Sequence, residues 1–493
     1  MKLKKLLCLL LAGLFLVTAV GCGSNEDNVE DTKNGTSAGT EAESEVVDRA
    51  HTPDGLPDDL DFKDREFRTL VQSTYKSDMW VETYDSSDIV SAAVYTRNEV
   101  VHDRLGVDIV EATDMDYNAI SSSVNNLVKT GTYDYDLVMQ HMIQAGNDAL
   151  ADNFIDWYSL PHVDFSREWY PSFAIEGLTV NGKMLIAVGD MLLATIDRTY
   201  CIFYDKKHAV DLGVDDVSDV ALNHEWTVDK MTEYSSTAYQ DLNGDAKVNV
   251  GDYFGFANDC VNCYSVYYYC FDIGRVSIDE DYNVVLHYND DNGKVTDAIE
   301  KLKKLMIRDG TYCWRGAGDK DPIDMFMDEK VLFVGGIIGE ALSTIRTYDN
   351  DYGIIPYPMY DTNQKNYYTI MGGGVSTMEV PRYVAEDEDR EFIGAVVEAM
   401  CAETWRNVIP QYYDVALKYK GARDEKSVQL MDIMLDSRAV DVAIAYDGWE
   451  GFTYKLQEYI HSNKNWTSQY TRQSKAIAKH YQKVADLYAK MDD

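Results

Sequence analysis

The chain has 493 residues, with 45 Lys and Arg against 84 Asp and Glu, a formal net charge of −39 at neutral pH. So acidic a chain is repelled by nucleic acid and by anionic lipid, which excludes both as partners of its folded body. Its length is enough for two or three lobes with real cores.

At the N-terminus, Lys2, Lys4 and Lys5 precede an apolar run from Leu6 to Val20, and Ala19-Val20-Gly21 stand directly before Cys22. That layout is a secretory signal over residues 1–21, with an apolar core too short for a comfortable membrane span. Cleavage would leave 472 residues. The leader carries three lysines and no acid, so the net charge would fall to −42. A cysteine just after the cleavage point resembles the lipobox of bacterial lipoproteins, which implies that Cys22 carries lipid. Residues 22–60, rich in Gly, Ser, Thr and acids, read as a flexible acidic linker, with folding expected to begin near Phe62.

Phe67–Gln72 reads as the first strand, followed by a loop holding Tyr75 and Trp80. Apolar spacing predicts a helix over Ile89–Leu105, with Asp88 as its N-cap. A strand Val107–Ala112, a helix around Ile120–Val128 and a strand Tyr135–Met139 continue the alternation. Strands alternating with helices imply an α/β fold, with parallel sheets covered on both faces. Ligands of such sheets bind beyond the carboxyl ends of the strands, so Trp80, Gln140 and His141 become candidate contacts. Further on, the turn Asn181-Gly182 leads into a strand Lys183–Val188, and Tyr200–Tyr204 is another. Helices are expected at Trp226–Gln240 and Thr296–Ile307. Val331–Val334 reads as a strand ending at Gly335-Gly336, with further strands at Tyr352–Pro358 and Tyr367–Met371 before Gly372-Gly373-Gly374. From Glu391 onward the pattern is mostly helical.

The sharpest chemical motif lies between Asp241 and Asp252. Asp241, Asn243, Asp245, Asn249 and Asp252 place oxygen-bearing side chains at positions 1, 3, 5, 9 and 12 of a twelve-residue loop. Lys247 offers a carbonyl at position 7, completing the spacing with which a loop wraps calcium. Ala246 replaces the usual Gly of position 6, and Asp252 the usual Glu of position 12. The expectation is one structural calcium ion that pins the preceding helix to the following strand.

Tyrosine is the compositional outlier, with 36 copies beside 8 Trp. Its flat face and hydroxyl suit sugar rings, a weak tilt toward carbohydrate. Six cysteines follow Cys22. Cys260-x2-Cys263 lacks the second pair that a zinc site would need, a disulfide within the Cys260–Cys270 cluster is one reading, and buried free thiols are another.

Several segments together resemble the extracellular solute-binding proteins of bacterial ABC importers, the large subclass that includes sugar binders. They are Asn181-Gly182-Lys183 running into Ile186-Ala187, Ile202-Phe203-Tyr204-Asp205-Lys206, Trp226-Thr227-Val228-Asp229, Asp252-Tyr253-Phe254-Gly255-Phe256, Phe326 to Phe333, and Tyr352 to Pro358. The resemblance implies a two-lobed periplasmic-binding-protein-like fold of type II with three inter-lobe crossings. Lobe 1 would hold residues 62–190 and 337–375, lobe 2 residues 191–336 and 376–493, with crossings near Asp190, Gly335-Gly336 and Gly374. It further implies a monomer, anchored by lipid to the outer face of the cell membrane, that captures a small solute, a carbohydrate above all, and delivers it to membrane permease subunits. Trp80, Tyr264 and Trp314 are the stacking candidates, and Gln140, His141 and Asp190 the polar ones. No catalytic motif stands out, so no enzyme activity is expected. The alternatives are a surface glycoside hydrolase, which needs only two spaced carboxylates, and a calcium-stabilised adhesion lipoprotein.

Overall fold

In the computed structural model the described residues are 48–491, apart from 261–262, 289–292, 308–309, 315–318, 448–452, 454 and 462–463. The expected signal segment and the lipidation candidate Cys22 lie outside them. Nine strands carry two sheets. In chain order they are β1 Thr69–Gln72, β2 Thr113–Met115, β3 Leu137–His141, β4 Tyr200–Asp205, β5 Phe254–Asp259, β6 Thr311–Trp314, β7 Val331–Ile337, β8 Tyr352–Ile355 and β9 Ser376–Glu379. The first sheet runs β9-β3-β1-β2, with β9 antiparallel to β3 and the other pairs parallel. The second runs β6-β5-β7-β4-β8, where β4 is antiparallel to both of its neighbours. Every residue of β1 and of β4 is buried, as expected of strands sandwiched between helix layers.

The helices form where local chemistry starts and stops them. Asp88 accepts from the backbone N–H groups of Val90 and Ser91 at 3.1 Å, opening the helix Ile89–Leu105, and Gly106 ends it in the left-handed conformation at φ +60°. The calcium-type loop is preceded by the helix Val228–Ala238, which Thr227 caps through the N–H of Lys230. Among the described residues no helix is long and apolar enough to cross a membrane.

Sheet membership corrects the expected lobe boundaries. Tyr352–Ile355, expected in the first lobe, pairs with Tyr200–Asp205 in the second sheet. Ser376–Glu379, expected in the second, pairs with Val138–His141 in the first. The helix Asp387–Glu403 also belongs with the first lobe, where Phe392 meets the rings of Phe62 and Phe67 at 5.1 and 5.9 Å. Gly335-Gly336 is no crossing: both residues sit inside β7, opposite Ile202 and Cys201 of β4. Gly335 has no room for a side chain, since a Cβ there would meet Asn258 and Tyr357 within 2.4 Å. The chain passes between the sheets after Ala187, again between Ile355 and Ser376, and a third time through the π-helical stretches Thr404–Val408 and Pro410–Gly421. Alternating sequence patterns report strands but not which sheet a strand joins, so only strand pairing fixes these boundaries.

Folding also starts earlier than Phe62. Leu56 is buried, the Arg104 guanidinium donates to the carbonyls of Leu56 and Pro57, and Arg49 stacks on Trp405 at 5.0 Å. The last part of the expected linker is thus docked through two arginines that composition alone could not place.

Candidate functional site

The carboxyl ends of β1, β3, β5 and β7 frame two cavities, of about 510 and 720 Å³, which share Arg198, Ile337 and Glu340. The first is lined by His141 at the end of β3, Tyr200 at the start of β4, Asp259 at the end of β5, Asp321, and the Gly372–Gly374 run. The second is lined by Tyr75 and Asp78 just past β1, by Asp197, and by Tyr412 of the π-helical stretch. A cleft at strand ends, between two sheets, is where ligands of this architecture bind.

Arg198 is the hub of the cleft. Its Nε donates to the Tyr75 hydroxyl, and its guanidinium lies 3.6 Å from the Asp197 carboxylate. Asp197 in turn accepts from the Tyr412 hydroxyl at 3.1 Å, which ties the first and third passages together across the cleft floor. Gly339 is required there, since a side chain would meet the Asp197 carboxylate within 1.7 Å. His141 accepts the Ile143 N–H through Nδ1, so Nε2 carries the proton and faces Gly374. Burial, and then the Arg198 charge, hold this imidazole down at about 4, so it is a neutral donor at physiological pH. Tyr117 covers its ring at 5.4 Å.

Asp78 has the opposite shift. Loss of water around its carboxyl, and then the Asp197 charge, push it up to about 7, against hydrogen bonds from the Leu193 and Ala194 backbone. A raised carboxyl favours folding below its unfolded value near 3.8, and that contribution is lost as pH rises through about 7. The melting temperature is therefore expected to fall between pH 5 and pH 8, and Asp78→Asn to flatten that fall. Equal slopes in the two proteins, by calorimetry at constant ionic strength, would remove Asp78 as the cause.

No protein-family model and no curated protein matches this chain. Solved structures do. The cyclic α-maltosyl-1,6-maltose binding protein of Arthrobacter globiformis superposes with a TM-score of 0.55 at 10% identity, covering 85% of this chain and 99% of its own. An extracellular solute-binding protein of Staphylococcus aureus, in complex with maltose, gives 0.55 at 12% identity, with 85% and 98% covered. UgpB of Mycobacterium tuberculosis, in complex with glycerophosphocholine, gives 0.52 at 14% identity, with 85% and 98% covered. The chain has the solute-binding-protein fold.

In this solute-binding-protein fold the six ligand candidates scatter, and only His141 lines the cleft. Gln140, its neighbour on β3, points the other way into the first lobe, fully buried, and donates to Asp148 at 3.1 Å. Asp190 lies in the first passage, where burial raises its carboxyl to about 7 against the charges of Arg438 and Arg49. Trp80 is half-buried against the main core. Tyr264 is 1% exposed and spends its hydroxyl on His461, which leaves no open face for stacking. Trp314 ends β6, where its carbonyl accepts the Cys260 N–H at 3.0 Å, outside both cavities. Arg198, Glu340 and Asp197 were missed because they sit in passages and short helical turns whose pattern carries no sign of a cleft. Tyr75 was signalled only by its position after a strand.

The loop 241–252 adopts the turns a cation needs. Asp241, Asn243 and Asp245 each accept backbone N–H groups from within the loop, and Ala246 takes φ +57°, the left-handed bend demanded at position 6. Backbone bonds between Gln240 and Tyr253 close its base. The Asn249 amide nitrogen donates to both Asp245 oxygens and to the Lys247 carbonyl at 2.9–3.3 Å, so three oxygens converge on one neutral NH2 group. Asp252 is fully buried, and its Oδ1 has no hydrogen-bond partner. A buried carboxylate oxygen without a partner, at the last position of a loop in which three acceptors converge, fits a divalent cation.

The disulfide joins Cys260 to Cys313, so the partner lies outside the Cys260–Cys270 cluster. Cys201, Cys263, Cys270 and Cys401 are free and buried.

Proposed function

We propose that this chain is the solute-capturing component of an ABC importer, which takes a carbohydrate or polyol between its lobes and hands it to a membrane permease without chemical change. The observation that carries the reading is the cleft at the carboxyl ends of both sheets, floored by Arg198 and spanned by three passages. Such passages let two rigid bodies close over a ligand. The neutral Nε2–H of His141, the Arg198 guanidinium and the carboxylates of Asp259, Asp321 and Glu340 offer donors and acceptors for hydroxyl groups, with Tyr75 and Tyr200 as apolar faces. The maltose complex of the Staphylococcus aureus neighbour supports a sugar, and the Agrobacterium radiobacter neighbour in complex with ribitol supports a polyol. Intrinsic tryptophan fluorescence titrated with maltooligosaccharides and sugar alcohols tests it. Saturable binding with unchanged ligand, together with contraction in solution scattering, is the expected result, and turnover of the sugar would overturn the reading.

A lipid on Cys22 would hold the protein, as a monomer, at the outer membrane face. Mass spectrometry of the mature N-terminus tests this, with an unmodified Cys22 as the contrary result.

One calcium ion in the loop 241–252 would be held by Asp241, Asn243, Asp245, the Lys247 carbonyl, Asn249 and Asp252, with Asp252 Oδ1 supplying the group that now lacks a partner. Calcium at a hundred times its dissociation constant should stabilise the fold by about 2.7 kcal/mol. Asp252→Asn should abolish that gain in thermal melts, and an equal gain in the variant would refute the assignment.

A further inference from the structure

We infer a second metal site, for zinc, formed by Cys260, Cys313 and His461 when the disulfide is reduced. Cys260 follows β5, Cys313 lies in β6, and His461 follows the helix Leu456–Ile460. Each offers one ligand atom, and the two sulfurs and the imidazole nitrogen all lie within 4.8 Å of one another. The His461 Nε2 stands 3.5 Å from the Cys313 sulfur. Tetrahedral zinc, with Zn–S near 2.3 Å and Zn–N near 2.0 Å, sets sulfur and nitrogen about 3.5 Å apart. Histidine and sulfur are therefore already at the spacing of a tetrahedral edge.

The sulfurs must separate to about 3.8 Å to share the ion, which opening the S–S bond permits. The balance is simple. A dithiol reductant gives two electrons and two protons to the cystine and becomes a cyclic disulfide, leaving two thiols. Zinc then displaces both thiol protons and binds two thiolates and the neutral imidazole. The Tyr264 hydroxyl, 2.7 Å from the His461 Nε2 and 3.2 Å from the Cys313 sulfur, is placed to turn its proton toward the Cys313 thiolate once zinc takes the nitrogen. Three protein ligands leave a fourth position open.

The C-x2-C spacing is not the ligand set. Cys263 is buried on the wall of the 510 Å³ cavity, and it is not part of the cluster. The site joins the ends of two strands to the C-terminal helices, and Asp259, next to Cys260, lines the solute cleft. Either form, cystine or zinc, therefore ties that wall of the cleft in place.

The full mature chain, reduced with a dithiol and desalted without oxygen, tests the assignment. Zinc added alone should bind at one ion per chain, about a hundredfold tighter than to the oxidised protein, and cobalt(II) should give the absorption bands of a tetrahedral thiolate complex. His461→Ala should weaken zinc about tenfold or more, and Cys263→Ser should leave it unchanged. The paired change Cys260→Ser and Cys313→Ser should abolish binding. If that variant does not fold by circular dichroism, alkylation of the reduced wild-type thiols replaces it, and zinc should protect Cys260 and Cys313 from the reagent. Reduced protein that takes no more zinc than oxidised protein overturns the site. So does zinc binding that survives His461→Ala but not Cys263→Ser.

Discussion

Gly255→Ala is expected to destabilise the protein by about 3 kcal/mol, or to prevent folding, with no change to any cleft residue. Gly255 lies in β5, and its backbone N–H donates to the Gly310 carbonyl at 2.9 Å. The helix Val228–Ala238 rests directly on this strand, and a Cβ on Gly255 would sit 2.0 Å from the Ser235 carbonyl oxygen. The obstacle is backbone, which no rotamer change can move aside. Relief requires the helix to lift from the sheet, and Tyr234, Ser235 and Ala238 would lose packing with it. Urea unfolding followed by circular dichroism is the measurement, and a loss under about 1 kcal/mol would mean that the helix stands off the strand.

Arg198→Ala should reduce solute affinity by ten- to a hundredfold, about 2 kcal/mol, with a smaller effect on folding. Arg198 is common to both cavities, and its charge is stabilised by Tyr75, Asp197 and Tyr200 against the cost of burial. Removing it leaves the Tyr75 hydroxyl and the Asp197 carboxylate short of a partner in a partly desolvated cleft. Arg198→Lys should recover part of the affinity, because the charge returns without the planar fork. Calorimetric titration with the saccharide that binds wild type most tightly decides it. Unchanged affinity in Arg198→Ala would place the solute elsewhere, for instance in the 770 Å³ cavity lined by Phe173, Arg275, Tyr368 and Asp441.

Much of the local structure was legible. Asp88 and Gly106 bound the helix Ile89–Leu105 as their side-chain chemistry requires, and Tyr200–Asp205 follows its apolar run to within a residue. The stretch Lys183–Val188 reads as a strand yet makes only isolated bridges among the described residues, Lys183 to Val180 and Ala187 to Met378 at the edge of the first sheet. His141 was found because it ends a strand at the cleft, and the same rule failed for Gln140 one residue earlier, where the strand's alternation turns the side chain inward. Tyr264 and Trp314, stacking candidates by their aromatic rings, are each committed to the surroundings of the disulfide.

What the amino-acid order determined by itself was everything set by neighbours within a few residues: helix caps, the turns of the 241–252 loop and the α/β alternation. What only the tertiary structure decided was the company each segment keeps. Examples are β8 joining the second sheet and β9 the first, Cys260 reaching Cys313 53 residues away, and Arg198 meeting Tyr75 across the passage. Capping and turn energies are local and repeat wherever the same few residues occur. Strand pairing and cleft geometry are chosen by the joint burial of surfaces far apart in the chain, which short windows of sequence do not encode.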